Sequence, residues 1–358
     1  METSTKTLVF TGSYAEASEN GICVYSFNQD NGDLTLLHQV SGVKNPTFLN
    51  INTETNRLYA IGEVAKDGGK IGEVITFEIN PSTGALLELN RVQGSSSSTC
   101  HIQRDPEDQY LIVSSYHGGS VGLIALDEHA VASKWLNEQF HEGHRSNAEQ
   151  QPRAHSAFFS PDGKYVFIQD LGLDKIISYQ IDKKDNTLKF HGETLLELGS
   201  GPRHLAFHPS GKYAYVINEL NSTVKAFRYV SEEGRLEAIQ MLSTLPDDFT
   251  GESYCAEIAV SEDGLTVYGS NRGHDSIVVF SVDPSTGELT PIQFISTEGG
   301  HPRHFSLMPE GKFMVVANRD GDNLVLYTVN PENGMLQFTG KTIEQSKPVC
   351  VKPAVFKV

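Results

Sequence analysis

One segment recurs six times along the 358-residue chain, about every fifty residues. Its clearest copies are Gly201-Pro202-Arg203-His204-Leu205-Ala206-Phe207-His208-Pro209-Ser210-Gly211-Lys212-Tyr213 and Pro302-Arg303-His304-Phe305-Ser306-Leu307-Met308-Pro309-Glu310-Gly311-Lys312-Phe313. A third is Pro152-Arg153-Ala154-His155-Ser156-Ala157-Phe158-Phe159-Ser160-Pro161-Asp162-Gly163-Lys164-Tyr165. Units of this size cannot bury a core alone and must stack on their neighbours. The repeat therefore decides the architecture before any single residue is read.

Each unit reads as four short strands rich in Val, Ile, Tyr and Phe. In the clearest copy these are 204–208, 213–219, 224–229 and 236–242. Turn signals fall between them, such as Asp263-Gly264 after a first strand and Thr286-Gly287 before a fourth. Only Val131 to Gln139 carries a pattern that a short helix would fit. Full units begin near Pro46, Thr99, Arg153, Pro202, Cys255 and Pro302. The N-terminal run lacks an innermost strand, and the C-terminal run Pro348 to Phe356 is a strand with nothing after it. Joining the two completes a seventh unit and removes both exposed edges. The expectation is an all-β, seven-bladed β-propeller with four-stranded blades. The C-terminal strand joins the N-terminal blade to close the ring, and 1–358 form one domain. Two stretches exceed the repeat, 127–151 (with His129, His141 and His144) and 243–254, and both are lid candidates.

The formal charge of −17 argues against nucleic acid or an anionic membrane as partner. It also means that an anionic substrate must be drawn in by local cations. Cys23, Cys100, Cys255 and Cys350 are far apart with no CxxC spacing, which argues against zinc and suits a reducing compartment. The N-terminus lacks a signal-peptide layout, and no apolar run approaches the ~20 residues of a membrane span. A cytoplasmic location is expected.

In a propeller the innermost strands line a central channel. Aligned through Phe48, His101, His155, His204, Glu257 and His304, the units end their second strands at Glu63, Tyr116, Asp170, Glu219, Arg272 and Arg319, with Tyr14 as the seventh. These positions are polar, mostly ionisable, and differ from blade to blade, as a shared scaffold with one asymmetric site requires. A wet channel also accommodates polar residues without any activity. Histidines, arginines and acids at one end suit hydrolysis of an activated carbonyl: an imidazole or carboxylate takes a proton from water, and guanidinium groups hold an anion and the oxyanion. No GxSxG elbow, P-loop or dinucleotide fingerprint is present.

The phrases Gly201 to Pro209, Tyr215-Val216-Ile217-Asn218-Glu219-Leu220 and Ser270-Asn271-Arg272-Gly273-His274-Asp275-Ser276-Ile277 resemble the propeller lactonase family over essentially the whole chain. That family includes cycloisomerase-like 6-phosphogluconolactonases and 3-carboxy-cis,cis-muconate lactonizing enzymes. The resemblance implies hydrolysis of 6-phosphogluconolactone in the oxidative pentose phosphate pathway, with no cofactor and no metal. The family's His, Arg, Glu and Arg set falls on His155, Arg203, Glu219 and Arg272, with Arg303 or Arg319 as alternatives to the last. Glu219 or His155 then activates water, while Arg203 and Arg272 bind the anionic substrate and the oxyanion. His204, Asp170, Arg303, His304 and Arg319 are the substrate-binding candidates. Three readings stand beside this one: a cycloisomerase or a lactonase for another acid, a non-catalytic binding propeller, and a Ca²⁺-dependent lactonase built on Asp170 and Glu219.

Overall fold

The computed structural model describes residues 4–143 and 150–358. They form seven four-stranded antiparallel sheets. The innermost strands are Leu49–Asn52, His101–Arg104, Ala154–Phe159, Pro202–Phe207, Tyr254–Val260, Pro302–Leu307 and Pro348–Lys357. Each packs against the next, and the last packs against the first, so the array is a closed ring. In the blade that starts at Pro202 the remaining strands are Tyr213–Asn218, Thr223–Val230 and Arg235–Ser243. Among the described residues no helix is long and apolar enough to cross a membrane.

Closure follows the expected route. Pro348–Lys357 pairs antiparallel with Thr5–Ser13, matching Lys6 to Phe356 and Gly12 to Cys350. Phe10 and Phe356 meet edge to face at 6.1 Å in a core shared with Leu49, Tyr59 and Phe77 of the next blade. Burying these side chains between blades couples each blade to its neighbour. Glycines permit the tight turns: Gly264 has φ +76°, and a Cβ there would meet the His208 ring at 2.3 Å.

Two expectations change. The stretch 131–139 is not helical. Ala132–Phe140 is the outermost strand of its blade, paired with Ser120–Leu126, because an isolated helix this short is marginal while the neighbouring strand offers a full ladder. The first part of the supposed loop is therefore regular structure. His144 lies outside the described residues.

The second change is one of register. Pro202 pairs with Asn218 and His204 with Ile217, so Arg203 is the extra residue of a β-bulge. Arg303 is bulged in the same way between Pro302–Asn318 and His304–Ala317. In the third blade the pairs are Ala154–Asp170 and Ser156–Gln169, so the bulged residue is His155. His155 is thus the counterpart of Arg203 and Arg303, not of His204. Asp170 is the counterpart of Asn218 and Asn318, and Leu171, not Asp170, matches Glu219.

Candidate active site

In three blades the bulge re-aims one side chain, His155, Arg203 or Arg303; in two others a residue just before the innermost strand, Thr47 or Cys100, takes the same level. A cavity of about 250 Å³ opens there, lined by the bulge-level residues Thr47, Cys100, His155 and Arg303 and by the strand ends Tyr14, Glu63, Tyr116 and Glu219. The sequence pointed to the strand ends as a ring. It missed Thr47 and Cys100, whose only signal is that each directly precedes a strand opener, as Arg203 precedes His204.

Glu219 is the centre of the ionic arrangement. Its Oε2 lies 3.0 Å from Arg203 Nε and 2.9 Å from Arg272 Nη2. Both guanidinium groups are buried. Arg203 also donates to the Ala256 carbonyl, and Arg272 donates to the carbonyls of Tyr254 and Cys255 at 3.1 and 2.7 Å. Arg272 thus spends donors on two carbonyls, whereas Arg203 Nε lies at ion-pair distance from Glu219 without a formed hydrogen bond. Burial pushes the Arg203 guanidinium down from its ordinary range, and the neighbouring Arg303 and Arg272 push the same way, while Glu219 opposes them. Burial likewise lowers Arg272, with Glu219 opposing.

Arg303 differs. It stands over the Tyr14 ring, 5.5 Å from guanidinium carbon to centroid, and its side chain makes no hydrogen bond or ion pair with any described residue. Arg153 stands in the same way over Tyr116, at 5.2 Å. Glu63 is held by Asn45 at 2.9 Å and Lys70 at 2.8 Å. The lining holds two carboxylates, Glu63 and Glu219, and one guanidinium, Arg303; both carboxylates are paired, with Lys70 and with Arg203 and Arg272, which leaves Arg303 uncompensated.

His155 is buried at the cavity wall, and its Nδ1 has no partner among the described residues. Cys100 Sγ donates to the His155 carbonyl at 3.1 Å and pins the bulge. Burial holds the imidazole well below its usual range, and the Arg203 guanidinium adds to this. His155 is neutral at neutral pH.

The other candidates do not reach this cavity. His204 and His304 lie on the axis, where Nδ1 of His204 and Nε2 of His304 meet Glu257 at 3.0 and 3.1 Å. His304, Glu257 and Lys352 instead border a second cavity of about 770 Å³, walled by apolar groups such as Phe158, Phe207 and Leu307. Arg319 is paired with Asp320 at 2.6 Å and lies beside His301. Asp170 is buried, with one oxygen taking the backbone N–H groups of Arg153, Gly172 and Leu173 and the other 2.6 Å from His141 Nδ1. It anchors a turn, as the register predicts for a counterpart of Asn218. Asp170 and Glu219 therefore do not converge as a Ca²⁺ site would require. Among the described residues no group of three or more His, Cys, Asp or Glu side chains is arranged to hold a metal.

Comparison with known proteins bears on the same geometry. Residues 8–353 match the family described as Lactonase, 7-bladed beta-propeller. The chain is 37% identical to a 6-phosphogluconolactonase of Bacillus subtilis over 351 residues, covering 97% of this chain and 98% of the relative. Among solved structures, a periplasmic gluconolactonase of Pseudomonas aeruginosa superposes with a TM-score of 0.90 at 28% identity, covering 98% of this chain and 99% of the other. A putative 6-phosphogluconolactonase of Bacteroides fragilis superposes with a TM-score of 0.88 at 29% identity, covering 98% of each.

Proposed function

The chain belongs to the seven-bladed β-propeller lactonase family, and from that membership we propose that it is a metal-independent lactone hydrolase acting on 6-phosphogluconolactone. The observation that carries the reading is the cavity in which a fixed carboxylate, a neutral imidazole and a guanidinium without an acidic partner face one space. A phosphorylated sugar lactone is an anion with an activated carbonyl, and both properties find a partner there.

In this mechanism Glu219 is the general base. Arg203 and Arg272 act on it, holding its carboxylate in place, which differs from the direct substrate-binding role expected from sequence. Water attacks the lactone carbonyl as Glu219 takes one of its protons. Arg303 supplies positive charge to the anionic substrate, and His155, uncharged, offers a hydrogen bond to the oxygen on which charge develops. As the tetrahedral species collapses, the bond from the carbonyl carbon to the ring oxygen breaks, and the proton on Glu219 passes to that oxygen. The product acid then ionises. The balance is one water consumed and one proton released per lactone.

The same reading puts the protein in the cytoplasm, in the oxidative pentose phosphate pathway. Its four unpaired cysteines fit a reducing compartment. The test is proton release in a pH-stat on 6-phosphogluconolactone and on gluconolactone, with spontaneous hydrolysis subtracted. The expected result is a catalysed rate that favours the phosphorylated lactone. No rate above background on either compound defeats the proposal, and preference for the unphosphorylated lactone moves the substrate.

A further inference from the structure

We propose that one water molecule is bound on the propeller axis between His101, His155 and His204, and that Glu257, acting through this array, holds His155 as an Nε2–H donor toward the cavity. The proposal rests on the reading of His155 as a group that faces the reacting carbonyl.

The argument starts from Glu257, which is buried and, as a carboxylate, only accepts hydrogen bonds. His204 Nδ1 lies 3.0 and 3.1 Å from its two oxygens, so the His204 proton is on Nδ1 and Nε2 carries a lone pair. His304 presents Nε2 to the same carboxylate at 3.1 Å and accepts the Val351 N–H on Nδ1 at 3.4 Å, which fixes it as the opposite tautomer. His101 accepts the Ala157 N–H on Nδ1 at 3.4 Å, so its proton is on Nε2. Burial keeps all three rings neutral.

Three buried nitrogens are then left without a protein partner: Nε2 of His101, Nε2 of His204 and Nδ1 of His155. Their rings are in edge contact around His204, with centroids 5.5 Å apart for His101–His204 and 5.2 Å for His155–His204. Buried donors and acceptors without a partner are destabilising. A buried water with three polar partners removes all three penalties. It accepts from His101 Nε2–H and donates one hydrogen to His204 Nε2. Its second hydrogen is left for His155 Nδ1; were that nitrogen to donate instead, it would take the second lone pair of the water and leave a buried hydrogen unpaired, so the acceptor form is the one that satisfies every group. The His155 proton is then on Nε2.

Glu257 is on this account a positioning residue. It touches no substrate but decides, two groups away, which His155 nitrogen carries hydrogen. The other paired arrangement, a direct bond from His101 Nε2–H to His204 Nε2, leaves the His155 tautomer unset.

The test is a long-range proton–nitrogen correlation spectrum of the ¹⁵N-histidine-labelled resting protein, assigned with His155→Gln and His204→Gln. The expected result is His155 protonated on Nε2 with a bare Nδ1, and His204 the reverse. A proton on Nδ1 of His155, or exchange between its two nitrogens, overturns the proposal. In Glu257→Gln the His155 tautomer should shift and kcat should fall by about 10²-fold, the cost of one oxyanion donor, with KM little changed and partial rescue by Glu257→Asp. An unchanged His155 tautomer in Glu257→Gln removes Glu257 from the account. If that variant does not fold, the spectrum of the parent protein still decides. If the parent lacks lactonase activity, the proposed function fails while the spectrum stands.

Discussion

Glu219 Oε2 lies 3.0 Å from Arg203 Nε, and the same oxygen lies 2.9 Å from Arg272 Nη2. One carboxylate thus organises two buried cations. Neither guanidinium has an alternative acidic partner within ion-pair distance among the described residues. Replacing Arg203 with Ala should cost about 3–5 kcal/mol of stability, because it breaks a buried pair. Glu219→Gln keeps the shape but removes the base, and should lower kcat by about 10²- to 10⁴-fold. Thermal melts and corrected lactonase rates on the two variants separate these effects. Full activity in a folded Glu219→Gln protein rules out the base assignment.

Arg303 is the contrasting case. Its guanidinium stands over the Tyr14 ring and has no hydrogen bond or ion pair among the described residues. Arg303→Ala should therefore leave the melting temperature nearly unchanged and raise KM for the phosphorylated lactone by about tenfold or more, the scale of one charge-assisted contact. Arg319→Ala should do neither, since Asp320 already occupies that side chain. Initial rates over a range of lactone concentration give both numbers. Equal KM effects in the two variants would falsify the assignment of Arg303 as the anion contact.

The repeat made blade number, strand order and ring closure legible, because each depends on patterns that recur. The site was legible in part. Glu219 and His155 border one cavity, and Arg203 and Arg272 pair with Glu219, yet the carbonyl partners of the two arginines were not readable, since backbone contacts leave no mark in a sequence. Asp170 was misplaced for a specific reason. Alignment through His155 and His204 hid a bulge one residue away, and a one-residue shift moves a side chain to the other face of a strand. Asp170→Ala should therefore act on stability, costing about 3–5 kcal/mol by stranding His141 and three backbone N–H groups. Its KM in the folded fraction should be unchanged. A large KM effect without destabilisation would return Asp170 to the substrate.

The closing strand gives a prediction independent of chemistry. Removing 348–358 exposes the whole edge of Thr5–Ser13 and takes away Val349, Cys350, Val351 and Phe356 from the core. An open ring has an unpaired edge and an incomplete innermost layer. The truncated chain should lose its single cooperative unfolding transition and associate through the freed edge. Calorimetry and light scattering would show both, and a melt that superposes on that of the full chain would refute closure as the source of cooperativity.

Acid should unfold this protein earlier than its carboxylates alone require. His101, His155, His204 and His304 are held well below their ordinary range by burial, and His301 is lowered to about 3 by burial and Arg272. In the unfolded chain each takes up a proton near pH 6.5. The unfolded state therefore binds more protons than the folded state below about that pH, so stability is full above it and is lost as pH falls toward the folded values. The melting temperature should drop steadily between about pH 6.5 and 5, before ordinary carboxylates titrate. His101→Phe, at a ring already stacked 4.2 Å from Phe48, should make that slope shallower. Melts in matched-ionic-strength buffers test this. A flat profile down to about pH 5 would mean that the axial histidines accept protons inside the fold.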